Sequence, residues 1–192
     1  MKNILIIHAH PVQDSFVDKL SAAYVNGAIA SGANVKELKL NELKFDLNFS
    51  EGYKGSQQPE PDILRSQELI DWAEHIVFFY PNWWATFPAL LKGFIDRTFL
   101  PGFAFHYTKN KAQPQQLLKG KTARLVVTMD SPVWYYYLFL GAPGHKAMRR
   151  GILNFCGIRP VFINSFGPMR TASESKRSRW ISTMHSAGIK MK

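Results

Sequence analysis

The sequence predicts an α/β protein: a three-layer sandwich in which helices cover both faces of a five-stranded parallel sheet of order 2-1-3-4-5. Three observations lead there. Short apolar runs alternate along the chain with segments of helical periodicity, as in parallel sheets built from strand–helix–strand units. The runs Ile4-Leu5-Ile6-Ile7 and Ile76-Val77-Phe78-Phe79 are apolar throughout, as expected for strands buried on both faces. At 192 residues, 46% hydrophobic and 20% charged, the chain suits one globular domain over residues 1–192 with a sizeable core.

The elements follow in order. Ile4 to His8 reads as the first strand. Ser15 to Ala30 is a helix, with Phe16, Leu20, Ala23, Tyr24 and Ala28 at helical spacing, closed by Gly32 as a left-handed cap. Val35 to Leu40 is the second strand, and residues 41–61 form a long polar connection. Asp62 to Trp72 is a helix with an acidic start after proline. Ile76 to Tyr80 is the third strand and Ala89 to Phe99 the third helix. Gly102 to Tyr107 reads as either a short strand or a loop, and Lys109 to Lys119 as an exposed excursion. Ala123 to Thr128 is the fourth strand, Gly144 to Phe155 a helix, Pro160 to Ser165 the fifth strand and Ser173 to Ala187 the last helix. No repeat or low-complexity tract interrupts this order. A dinucleotide-binding Gly-x-Gly-x-x-Gly turn should follow the first strand, but that position reads His8-Ala9-His10-Pro11-Val12-Gln13-Asp14-Ser15. A flavodoxin-like sheet is the better match.

Composition narrows the function. The single cysteine, Cys156, excludes an internal disulfide and a cysteine metal cluster, and reads as a small buried apolar residue. No metal site is expected. The net charge of +10 can steer anionic ligands toward the surface. The densest basic cluster, Arg170, Lys176, Arg177 and Arg179, reads equally as a solvated helix face, and no nucleic-acid signature accompanies it. Apolar runs fall far short of a membrane span. His8 and His10 interrupt the apolar amino terminus early, so that segment reads as a strand of a cytoplasmic protein rather than a signal peptide.

In an open parallel sheet, ligands bind at the carboxyl ends of the strands, here loops 8–16, 80–88 and 128–137. In the first, helix-start N–H groups, His10 and Ser15 can hold an anion; alternatively Asp14 or Ser15 simply caps the helix. His8 reads as structural. The second loop carries Trp83-Trp84 between Pro81 and Pro88. Proline stiffens it, tryptophan supplies flat faces, and two adjacent tryptophans cannot both point inward, so one lines a site or an interface. The third loop ends in Trp134-Tyr135-Tyr136-Tyr137, which either walls a flat pocket or packs against a partner. A tyrosine there and His145 could donate protons to a reduced acceptor, or serve only packing and helix initiation.

These residues resemble the flavodoxin-like NAD(P)H:quinone oxidoreductases, the family of DT-diaphorase and its bacterial relatives. The resemblance is carried by Ala9-His10 with Ser15-Phe16, by Pro81-Asn82-Trp83 with Pro88-Ala89-Leu90-Leu91-Lys92-Gly93, by Phe103-Ala104-Phe105, and by Gly151-Ile152-Leu153-Asn154-Phe155-Cys156-Gly157. It implies a non-covalent flavin reduced by NAD(P)H, which then passes two electrons to a quinone or other small aromatic acceptor. It assigns the flavin phosphate to His10, Ser15, Phe16 and Val17, and the flavin ring to Pro81, Asn82, Trp83 and Trp84 and to Thr128, Met129, Asp130 and Ser131. Tyr137 and His145 are the counterparts of the family's catalytic tyrosine and histidine. Many relatives carry Thr-Thr-Gly-Gly where this chain has Thr128-Met129-Asp130-Ser131. Lacking the long carboxyl-terminal extension of the larger FAD enzymes, the chain is expected to use FMN, with FAD the alternative. A homodimer with the site near the subunit boundary is also expected, in keeping with the aromatic residues at 83–87, 103–107 and 134–137. Competing readings are a flavodoxin-type electron carrier and a regulatory quinone-reductase-like subunit of a potassium efflux system.

Overall fold

The computed structural model describes residues 1–12, 14–54, 57–108 and 113–191. Gln13 of the first loop and the start of the 109–119 excursion lie outside the described residues. Five parallel strands form the sheet in the order β2-β1-β3-β6-β7: β1 Asn3–His8, β2 Asn34–Lys39, β3 His75–Pro81, β6 Thr122–Thr128 and β7 Val161–Phe166. This is the predicted 2-1-3-4-5 order. A separate antiparallel pair, β4 Phe105–His106 and β5 Gln115–Gln116, lies between β3 and β6 in sequence.

The alternation of side chains along each strand sorts the core into two layers. Leu5, Ile7, Ile76, Phe78, Leu125 and Val127 face one side, against α2 Pro61–Trp72, α3 Ala89–Thr98 and the helical run of residues 143–156. Ile4, Ile6, Val77, Phe79 and Val126 face the other, against α1 Phe16–Ala30 and α7 Glu174–Ile189. Burial on both sides is why these strands are apolar throughout.

Helices α1 and α7 cross with little space between their backbones. A Cβ on Gly27 would lie 2.2 Å from the His185 carbonyl oxygen, and one on Gly188 2.1 Å from that of Tyr24. Only glycine fits at either position. At the end of α1, Gly32 has φ +82°, the left-handed cap read from the sequence. Cys156 is buried, and burial pushes its thiol up to about 12.

Three segments differ from expectation. The aromatic run at 134–137 is part of a short helix, α4 Val133–Leu138, because Pro132 fixes its entry and the chain closes i→i+4 bonds from Tyr136 N–H to Pro132 and from Phe139 N–H to Tyr135. The helix expected at 144–155 runs from α5 Pro143–Lys146 through a π-helical stretch, Ala147–Leu153, to α6 Asn154–Cys156. The described part of the 109–119 excursion is not wholly exposed: Leu118 is buried in the core, and its N–H bonds the Cys156 carbonyl at 3.0 Å.

Candidate functional site

Sheet register brings the three loops together. His8 pairs with Phe79 and Pro81 with Thr128, so β1, β3 and β6 end side by side. The Ala9 N–H donates to Phe79 O at 2.8 Å, and Asn82 N–H to Thr128 O at 2.7 Å. The His10 ring meets Trp83 edge-on at 6.0 Å, joining the first loop to the second.

In the first loop Ser15 caps α1. Its N–H and hydroxyl both donate to Asp18 Oδ2, at 2.8 and 3.0 Å. Val12 N–H donates to His10 Nδ1 at 3.1 Å, which folds the loop back on itself. His8 Nε2 lies 2.7 Å from Glu37 Oε2 across the β1–β2 pair, and this hydrogen bond holds the Glu37 carboxyl below the usual carboxylate range. His8 is thereby tied to β2. Phe16 packs edge-on against Trp180 at 6.0 Å, with the Arg177 guanidinium over its ring, and Val17 is buried. Their side chains anchor the helix start, so only their N–H groups can serve a ligand. A cleft of about 210 Å³ opens beside them, lined by His8, His10, Val12, Asp14, Asp18 and Lys39 among others. Serine hydroxyl, histidine and first-turn N–H groups suit a phosphate. The opposing groups are the carboxylates of Asp14 and Asp18, and Asp18 already accepts the Ser15 donors.

The second loop is a tight turn. Trp83 N–H donates to Thr86 O at 2.9 Å and Thr86 N–H to Trp83 O at 3.0 Å. The two central residues, Trp84 and Ala85, have φ +52° and +61°. Such a turn favours glycine or asparagine, and non-glycine residues in this region cost about 1–2 kcal/mol each. The surroundings hold the strain in place. Ala85 O accepts from the Tyr136 hydroxyl at 3.1 Å and from Gly144 N–H at 3.1 Å. A Cβ on Gly144 would fall 2.8 Å from Thr86 Cα, so α5 rests directly on the turn. Trp83 is half-exposed, while Trp84 is 99% exposed. Trp83, beside His10, is thus the tryptophan that faces the site.

The third loop divides its residues. Met129 is buried and Thr128 nearly so, and Asp130 is turned away to accept from Arg170 N–H at 3.1 Å. Beyond it Tyr137, Ser165 and His145 converge. His145 Nε2 lies 2.8 Å from Ser165 Oγ, and the Tyr137 hydroxyl 3.4 Å from the same oxygen. His145 is only 3% exposed, and burial lowers its pKa to about 4, so it is neutral near pH 7. With Nε2 as acceptor, the Ser165 O–H donates to the buried ring, and the Tyr137 hydroxyl stands beside the same oxygen at a longer 3.4 Å. The adjacent cavity, about 190 Å³, is lined by Tyr137, His145, Lys146, Arg149 and Arg150 among others.

A sequence profile described as the flavodoxin-like fold matches residues 2–183. The chain belongs to this flavodoxin-like family. It is similar to an uncharacterized NAD(P)H oxidoreductase of Haemophilus influenzae, 32% identical over 184 residues that cover 93% of this chain and 90% of that protein. It is also similar to the rat ribosyldihydronicotinamide dehydrogenase [quinone], 24% identical over 96% of this chain and 91% of the rat protein. Among solved structures, Smu.1420 from Streptococcus mutans superposes with a TM-score of 0.86 at 26% identity, covering 98% of this chain and 99% of that one.

Within the frame of this flavodoxin-like family, the structure gathers His10, Ser15, Asn82, Trp83 and Thr128 at one edge of the sheet. It leaves the side chains of Phe16, Val17 and Met129 in packing roles. Tyr137 and His145 do meet, through Ser165. Sequence reasoning missed Ser165, and it named Tyr136 only within the aromatic run, not as the buttress of the second loop. Ser165, at the carboxyl end of the predicted fifth strand, had position as its only signal.

Proposed function

We propose that this chain is a flavin-dependent NAD(P)H oxidoreductase that delivers a two-electron, hydride equivalent to a quinone or similar small aromatic acceptor. FMN is the expected cofactor, with FAD the alternative. The observation that carries the reading is the meeting of the strained Trp83–Thr86 turn with the α1 start at the carboxyl edge of β1 and β3, in a chain whose relatives are NAD(P)H and quinone dehydrogenases by name.

When bound, the flavin supplies the redox chemistry. The protein's residues do the rest. His10, Ser15 and the N–H groups of Phe16 and Val17 would hold the phosphate at the start of α1. Trp83, Asn82, Thr128 and the backbone of Met129 to Ser131 would hold the ring. Tyr136 and Gly144 brace the Trp83–Thr86 turn through Ala85 O. Tyr137 hydrogen-bonds an acceptor oxygen and is the group that would donate it a proton, while Ser165 and neutral His145 lie behind its hydroxyl.

We further infer a homodimer. Activity that is independent of dilution in a protein that scatters light as a monomer would refute that inference. The function itself is tested by loading the protein with FMN or FAD, adding NADH or NADPH anaerobically, and following bleaching at the flavin absorption band, then recovery on adding a soluble quinone. Failure of both flavins to bind would overturn the reading.

A further inference from the structure

Helix α4 and the two residues after it present an apolar surface that the proposed chemistry does not use. Leu138 is 76% exposed, Phe139 70% and Trp134 60%. They are ordered by mutual contact: Tyr135 stacks on Phe139 at 5.3 Å, and Trp134 meets both rings edge-on at 6.0 Å. Exposed clusters of this kind mark an interaction site.

Charge indicates what covers it. From Ser131 to Ser173 the sequence has no aspartate or glutamate, but it carries Lys146, Arg149, Arg150, Arg159 and Arg170. Lys146, Arg149 and Arg150 are exposed and share one cavity wall with Tyr137. The Lys146 ammonium sits 3.4 Å from where a Gly141 Cβ would be, next to Leu140. Among the described residues none of these three has a carboxylate partner. An apolar cluster of tryptophan, tyrosine, leucine and phenylalanine rimmed by free cations has the composition of a segment that lies in the membrane interface. A second copy meeting this patch with its own equivalent patch would bring the same acid-free, cationic surface and be repelled. Among the described residues no helix is long and apolar enough to cross a bilayer, so the contact is peripheral.

We propose that α4 with Phe139 and Leu140 docks this protein on a bilayer bearing anionic headgroups, Trp134, Leu138 and Phe139 entering the interface and Lys146, Arg149 and Arg150 pairing with lipid phosphates. Docking there would set Tyr137 and the site mouth beside the lipid phase, from which a hydrophobic quinone can enter. This use rests on the proposed function; the docking itself does not.

The test is co-sedimentation of the flavin-loaded protein with phosphatidylglycerol-containing vesicles and with pure phosphatidylcholine vesicles. Binding to the anionic vesicles should be stronger by about tenfold or more and should weaken with salt. The double variant Leu138→Glu/Phe139→Glu should lose at least about tenfold in vesicle binding while keeping its circular dichroism and its turnover of a water-soluble quinone. Equal binding to both vesicle types, or undiminished binding of the variant, would overturn the proposal. So would conversion of a dimeric parent to a monomeric variant by light scattering, which would make the patch a subunit contact. Vesicle binding by a protein that turns over no quinone would retain the docking and refute the function alone.

Discussion

Replacing Asp18 by asparagine should tighten the grip on a flavin phosphate. In the structure the Asp18 carboxylate takes both donors of Ser15, at 2.8 and 3.0 Å. A phosphate held by the same groups would lie within about 5 Å of that carboxylate, where two unit charges repel by about 3 kcal/mol at an effective dielectric near 20 and by less than 1 kcal/mol in water. The Asp18 side chain is 36% exposed, which places the repulsion between these limits, and a phosphate carries nearly two charges. A gain of about 1–3 kcal/mol follows, about fivefold or more in affinity. The same substitution removes a favourable charge from the first turn of α1, costing about 0.3–1 kcal/mol of stability. Apo-protein is titrated with FMN and with riboflavin, following flavin fluorescence. FMN should bind more tightly to Asp18→Asn, and riboflavin, which has no phosphate, should not. Unchanged FMN affinity, or an equal gain for riboflavin, would refute the placement of the phosphate. Ser15→Asp, which adds a second carboxylate at the same point, should act in the opposite direction by more than tenfold.

Trp83→Ala should weaken flavin binding by about 1–3 kcal/mol through loss of its flat apolar face; unchanged affinity and turnover in the folded variant would show that the ring lies elsewhere. Gly144→Ala places a Cβ 2.8 Å from Thr86 Cα and 2.9 Å from Ala85 O, and should cost about 1–3 kcal/mol in urea unfolding; a neutral result would mean that the turn is not seated on α5. Burial lowers His145 to about 4 and His75 to about 3, against roughly 6.5 for the unfolded chain. The unfolded state therefore binds more protons, so stability is full above pH 6.5 and falls as the pH drops toward the folded values. At pH 5 each histidine should account for about 2 kcal/mol of the loss. Urea titrations of the parent and of His145→Gln at pH 7.5 and pH 5 check this: the variant should lose less on acidification, and an identical loss would remove His145 from the account.

How far the sequence reaches can be judged from particular residues. The strands were legible because Ile4–Ile7 and Ile76–Phe79 are buried on both faces, which leaves an unbroken apolar run. The order of the sheet followed from five strands in a chain of this size with no dinucleotide-binding glycine turn after the first, and Gly32 marked a helix end through its backbone freedom alone. The aromatic run 134–137 follows the fourth strand, where a ligand-facing loop is expected; Pro132 and the i→i+4 bonds make it a helix. Ser165 was not legible, since its importance comes from His145, twenty residues earlier and on another element. The capping of α1 by Ser15 was one of two readings, and which atoms would fill its donors could not be read without Asp18 in place. Trp84 and Ala85 carry no local signal for a left-handed turn. Their conformation is imposed from outside, by Tyr136 and Gly144.

The glycine crossing of α1 and α7 ties the beginning of the chain to its end. Gly27 and Gly188 are separated by nearly the whole sequence, yet their helices touch backbone to backbone. Contacts of such separation form late, because the loop they close is long. During synthesis the outer flank of α1 must wait, uncovered, until α7 has left the ribosome. The helix capped by Ser15 therefore acquires this neighbour only after all five strands of the sheet have been made.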